Sequence, residues 1–145
     1  MSRVLGNELP DDLFHALGTE DAGQPTGKVV LVSTVDAEGW AHPALLSYRE
    51  VSARDRSTLR VVMYAESRTT TNMRTNGKLT LIFIDERMTY YVKGTAKEVP
   101  SRRTGTPPQF ATMDVAVHEV LADSAGADEG GAAIATGITF HNRDS

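Results

Sequence analysis

The run "KLTLIFI" at positions 78 to 84 is apolar at successive positions, Leu81 to Ile84. A half-exposed antiparallel strand alternates apolar and polar residues, so a run without that alternation needs both of its faces covered. One face fills an interior. The other requires a helix or a second copy of the chain, and the sequence offers few helices, so a homodimer is the economical expectation.

The neighbouring segments repeat the pattern of short strands. "KVVLVST" (28 to 34), "WAHPALLSYREV" (40 to 51), "LRVVMYA" (59 to 65) and "MTYYVKGTAKEV" (88 to 99) are rich in β-branched and aromatic residues, and "VDAEG", "SARDRST" and "DER" punctuate them as turns. Pro43 cannot donate a ladder hydrogen bond, so the second strand should be bulged or unpaired on one side there. "AIATGITFH" (133 to 141) reads as a sixth strand. Three short helices complete the expectation: 10 to 18 with Leu13, Phe14 and Leu17 on one face, one opening at Ser67, and one over 108 to 123 from the spacing of Phe110, Met113, Val117, Val120 and Leu121. Strands joined by tight turns, without long intervening helices, favour a mainly β chain: a six-stranded antiparallel split β-barrel, Greek-key-like, over a parallel doubly wound sheet. The 145 residues fit a single domain, 1–145, with the helix at 10–18 and a Gly/Pro linker at 18–27 preceding the barrel.

Composition removes several function classes. Fifteen Lys and Arg against nineteen Asp and Glu, with no block of one sign, make nucleic acid an unexpected partner. No run reaches the roughly 18 apolar residues of a membrane span and no secretion signal is legible, so a soluble, cytoplasmic protein is expected. There is no cysteine, hence no thiolate chemistry. The phosphate-loop, dinucleotide-fold, zinc-protease and serine-hydrolase motifs are missing, and His15, His42, His118 and His141 are scattered, so no metal site is expected.

The polar stretch "ESRTTTNMRTNG" (66 to 77) carries the chemistry. Ser67 suits an N-cap, Asn76-Gly77 suits a helix stop, and the helix between them buries little except Met73. Its first turn offers free backbone N–H groups, hydroxyls and the Arg68 guanidinium, the makings of an anion site. A linking helix with solvent-facing threonines is the plainer reading of the same residues.

"LVSTVDAEGWAHPALLSY", "LRVVMYAESRTTTNMRTNGKLTLIFID" and "YYVKGTAKEV", in that order and spacing, resemble the pyridoxamine 5'-phosphate oxidase-like, FMN-binding split-barrel superfamily over about residues 28 to 99. The resemblance implies a homodimer with two FMN sites at its interface and the phosphate on the short helix. It implies that Ser67, Arg68, Thr69 and Thr70 hold the phosphate, with Asn72 steadying the turn. It places Leu45, Leu46 and Ser47 along the isoalloxazine, Met63 and Tyr64 beside the ribityl chain, and Thr89 against the flavin across the dimer. Thr69 and Ala44 stand where the vitamin-making oxidases carry lysine and arginine, which leaves fewer cations for a dianionic phosphate unless Arg49 or Arg74 compensates. The chain also lacks the tryptophan and arginine segment those oxidases use, so vitamin B6 oxidation is not expected.

The function expected is a flavin-dependent oxidoreductase or flavin reductase acting on a small molecule. Because the flavin carries the hydride chemistry, no acid–base pair is required and no catalytic residue is nominated. His42, Tyr48 and Tyr64 are candidates for hydrogen bonds near a substrate. The alternatives are a non-catalytic module holding flavin or haem, and a deazaflavin-dependent reductase.

Overall fold

The computed structural model describes residues 1–18, 27–124 and 130–141. The linker expected at 18–27 lies, apart from its ends, outside them. Eight strands form one antiparallel sheet: β1 (Ser2–Gly6), β2 (Val29–Val35), β3 (Ala41–Ser47), β4 (Val51–Asp55), β5 (Thr58–Tyr64), β6 (Lys78–Asp85), β7 (Met88–Val99) and β8 (Phe110–Asp123). Three helices accompany them: α1 (Asp11–Ala16), α2 (Arg68–Thr75) and α3 (Ser101–Thr104). The strand order is β3-β2-β6-β7-β8-β5-β4, and β1 adds to β8 beyond β5.

The two ends of that order, β3 and β4, are consecutive in the chain and joined by only the 3-10 turn Tyr48–Glu50. Three residues cannot cross a flat sheet of seven strands spaced about 4.8 Å apart, so the sheet must curl until its edges approach. The mainly β expectation holds, with corrections. The segment 40–51 is one strand in the sequence reading and two strands with a turn in the structure. Pro43 sits on β3, a sheet edge, where its missing N–H leaves no ladder partner without a donor.

The expected helix over 108–123 is strand β8 instead. Met113, Val115 and Val117 face the core, alternating with the outward Asp114 and Ala116. A bulge then shifts the register between Lys93 opposite Glu119 and Gly94 opposite Val117, so the next buried residue is Val120. That one-residue phase change made the apolar spacing resemble a helical period. Among the described residues, the short α3 is the only helix near that segment. The strand expected at 133–141 is absent: Lys28 and Thr139 form a single bridge, with hydrogen bonds from Val29 N–H to Ile138 O (2.9 Å) and from Phe140 N–H to Gly27 O (2.7 Å). β1, with all five residues exposed, left no apolar signal.

Side chains from both halves of the curled sheet fill the interior, among them Val30, Val32, Leu59, Val61, Leu81, Phe83, Met113 and Val120. Leu9, Leu13 and Leu17, from α1 and its flanks, join this core. Phe14, on the same helix, is only partly buried and lies under the Arg56 guanidinium at 4.7 Å. On β6, Leu79, Leu81 and Phe83 point inward, while Thr80, Ile82 and Ile84 remain half-buried on the outer face.

Gly94 makes the bulge possible, since a Cβ there would lie 2.5 Å from Ala116 O and 2.7 Å from Val115 Cγ1. Gly94→Ala should therefore cost roughly 1–3 kcal/mol or more, read as a lower denaturant midpoint. A second test concerns pH. Lys28 pairs with Asp85, and although burial opposes the charged carboxylate, the bond from Lys28, the Glu86 N–H and the Lys28 charge outweigh it and hold Asp85 below its ordinary value. Stability from this pair is complete above the unfolded carboxyl value and is lost as pH falls through the lower folded one. Asp85→Asn should thus be less stable than the parent at neutral pH, with the gap closing in acid; an unchanging gap counts against the coupling.

Candidate anion and cofactor site

α2 begins directly after β5. The Ser67 hydroxyl accepts the Thr70 N–H at 3.1 Å, as an N-cap serine should, and Ser67 O accepts the Thr71 N–H at 3.1 Å. Thr70, fully buried, donates its hydroxyl to Tyr64 O at 2.6 Å and so ties the helix to the strand it follows. Asn72 donates from Nδ2 to Thr34 Oγ1 at 3.0 Å, a buried bond that clasps α2 onto β2. Met73 anchors the helix in the core. At the far end Asn76 Oδ1 accepts the Lys78 N–H and Gly77 adopts a φ of +82°, so the chain leaves the helix straight into β6.

What this leaves unsatisfied defines the candidate site. The N–H groups of Arg68 and Thr69 have no acceptor among the described residues. Thr69 is 5% exposed, yet its hydroxyl makes no hydrogen bond among them. Arg68 is exposed and forms no ion pair there. Two amides, a hydroxyl and a guanidinium at a helix N-terminus match the oxygens of a phosphate. Arg74 is not available as a compensating cation: it forms a two-pronged pair with Glu98 (2.8 Å twice) and also donates to Ala65 O. The hydrogen bond from Arg74, joined by its charge against the opposing effect of burial, holds the Glu98 carboxyl below its ordinary value. Arg49 is exposed without an ion pair among the described residues.

The remaining expected site residues divide by which way their strands point them. Leu45 is 58% exposed and Tyr64 66% exposed, both on the outside of the sheet. Leu46 and Met63 are buried in the core, so only their backbone is open to a ligand. Ser47 donates its N–H to Glu50 Oε1 at 2.9 Å. Thr89, on β7, lines a different cavity of about 550 Å³ with Ile84, Arg87 and Tyr91, so one chain does not bring it together with Ser67 and Arg68. Tyr48 is buried against Phe83 rather than facing a ligand, and His42 is half-buried on β3. Two residues of this region escaped the sequence reading. Thr34 was visible in the quoted "STVD" but without a partner; Phe110, assigned to a helix, pairs with Tyr64 across β5 and β8, ring centroids 5.2 Å apart.

A family model described as pyridoxamine 5'-phosphate oxidase matches residues 22–120. The chain belongs to the pyridoxamine 5'-phosphate oxidase family. Within the curated proteins it is 28% identical over 87 residues to the uncharacterized protein YclD of Bacillus subtilis, a match spanning 60% of this chain and 56% of that one. Among solved structures, a protein provisionally named a pyridoxamine 5'-phosphate oxidase from Lactobacillus delbrueckii superposes with a TM-score of 0.63 at 18% identity, covering 83% of this chain and 98% of its own. The heme storage protein HutZ of Vibrio cholerae aligns with a TM-score of 0.54 at 14% identity over 79% and 93% of the two chains. A protein named F420 reductase aligns with a TM-score of 0.53 at 15% identity over 65% and 89%. At these identities the structural likeness establishes the fold, and the names show that the fold serves several cofactors. No helix among the described residues is long and apolar enough to cross a membrane.

The clasp between α2 and β2 is testable without any ligand. Asn72→Ala should cost on the order of 1–3 kcal/mol, because the Thr34 hydroxyl would lose its buried donor. Thermal unfolding with the midpoint unchanged would show that the bond is not structural.

Proposed function

We propose that the chain binds FMN with its phosphate at the N-terminus of α2, and that it acts as a flavin-dependent oxidoreductase or flavin reductase on a small molecule. The observation that carries the reading is the set of unsatisfied groups there: two free amides, the unpartnered Thr69 hydroxyl in a nearly buried position, and Arg68 without an ion pair. Ser67 and Thr70 hold the turn that presents them, and Asn72 holds the helix to β2. The exposed Leu45 and the Tyr64 ring supply apolar surface for a planar group, and the backbone from Leu45 to Ser47 supplies polar contacts. Bound flavin would contribute the hydride or electron transfer itself.

The cation count sets the expected affinity. With threonine at 69 and alanine at 44, Arg68 is the principal cation, and each missing charge-assisted contact is worth roughly 1.5–3 kcal/mol, or ten-fold and more in affinity. The half-buried outer row of Ile82 and Ile84, together with Thr89 standing apart from its expected partners, supports a homodimer in which Thr89 meets the flavin of the other copy. A carrier of flavin or haem without turnover is the second reading. It is favoured by the likeness to HutZ and by the burial of Tyr48 away from the site.

The decisive measurement is the visible spectrum of the purified protein, with mass analysis of any released ligand, followed by anaerobic addition of reduced nicotinamide cofactor. Released FMN that is reduced supports the oxidoreductase; FMN or haem that is not reduced points to the carrier; a colourless protein that takes up no FMN overturns both. Ser67→Ala with Arg68→Ala should weaken FMN binding by ten-fold or more while the fold persists. Sedimentation of the loaded protein as a monomer would remove the interface from the proposal.

A further inference from the structure

A second cavity, of about 560 Å³, opens on the outer face of the sheet where β2, β6, β7 and β8 run side by side. Its lining includes Ser33, Lys78, Thr80, Lys93, Thr95 and His118, and no carboxylate among the described residues. The chain as a whole carries a formal charge of -4, yet two ammonium groups line this cavity, one of them, Lys93, shared with Glu119 beside it.

The register explains how these groups converge. Ser33 pairs with Thr80, Thr80 with Lys93, and Lys78 with Thr95, which sets hydroxyls beside ammonium groups across three strands. The β8 bulge opposite Lys93 and Gly94 then places His118 and Glu119 consecutively on the outer face. The His118 Nε2 lies 3.0 Å from Thr95 Oγ1, which orients the imidazole over the cavity's edge. Lys78 forms no ion pair among the described residues, and Lys93 meets Glu119 at only 3.6 Å with both half exposed, a weak and easily exchanged contact. Beside these polar groups Val35 and Ala41 present apolar side chains, and Gly39 adds no side-chain bulk.

We infer that this cavity binds a small organic carboxylate with an apolar body, its anionic end held by Lys78 and Lys93. The volume falls within the roughly 300–1,000 Å³ range of small-molecule sites. Lysines act as point charges and accept a carboxylate in many orientations, and hydroxyls and imidazole complete its hydrogen bonds. The site stands apart from the flavin reading: it uses neither Arg68 nor the α2 amides, and it touches that region only through Thr34, which lines the cavity and also accepts the bond from Asn72.

The test is a titration of the full chain with 1-naphthoate, followed by amide resonances, with the neutral 1-naphthamide and inorganic phosphate as comparisons. Saturable shifts at Ser33, Thr80, Thr95 and His118 are expected. The amide and phosphate should bind about ten-fold more weakly, since each lacks one half of the match. Lys78→Ala with Lys93→Ala, both exposed positions, should raise Kd by about ten-fold or more, whereas Arg68→Ala should leave it unchanged. The proposal is overturned if none of those amides moves, if phosphate binds as well as naphthoate, if the double lysine variant binds as tightly as the parent, or if the shifts gather at Arg68 to Asn72. Loss of binding in Arg68→Ala would also overturn it and would reassign the ligand to the flavin region.

Discussion

The three-residue crossing at Tyr48–Glu50 is the constraint on which the rest of this structure depends. It carries the chain from one edge of the sheet to the other, and its side chain Tyr48 fills the interior it closes. The ring packs edge-on against Phe83 at 6.0 Å, lies beneath Lys28 at 5.8 Å, and its backbone N–H bonds to Lys28 O. Burial, with the nearby Asp85 charge, pushes the phenol up to about 12, so the neutral form is retained across the ordinary pH range. Its hydroxyl has no hydrogen-bond partner among the described residues. An aromatic body large enough to brace two sheet edges is kept here at the expense of an unsatisfied polar atom.

Curling the sheet decides where chemistry is possible. Side chains on one face of each strand vanish into the core, so ligands must be met by outward positions, by backbone, or by the chain ends between strands. In the proposed function α2 uses the last of these. The sequence suggests a helix that buries little except Met73, but Thr69, Thr70 and Asn72 are buried with it, because the hydrogen bonds of Thr70 to Tyr64 O and of Asn72 to Thr34 let polar side chains face inward. The family match over residues 22–120 takes in α2 and most of the curled sheet.

Some of this was legible in advance, and the failures have definite causes. "SRTTTNMRTNG" announced its cap and its stop because capping is local: an N-cap serine and an Asn-Gly exit work through atoms within a few residues. β2, β5, β6 and β7 were legible because each is a run of strand-forming residues bounded by turn residues. β8 was not, because a single extra residue at His118 moved Val120 out of the alternation and into a helical period. The segment 40–51 was not, because "LLSYRE" contains no Gly or Pro to mark the 3-10 turn, and the reason to turn lies in the far edge of the sheet. The apolar "AIATGITFH" failed in the opposite sense: its residues suit a strand, but it meets the sheet at one bridge only.

The sequence by itself determined the class of fold and the place of the helix cap, since both rest on periodicity and on contacts between near neighbours. The family motifs also lay in local order. Only the tertiary structure decided which faces are open: that Leu46 and Met63 are sealed while Leu45 and Tyr64 are not, that Arg74 is engaged by Glu98, and that Lys78, Lys93 and His118 share one cavity. Those outcomes depend on strand register and on one bulge, which are set by contacts between residues distant in the chain.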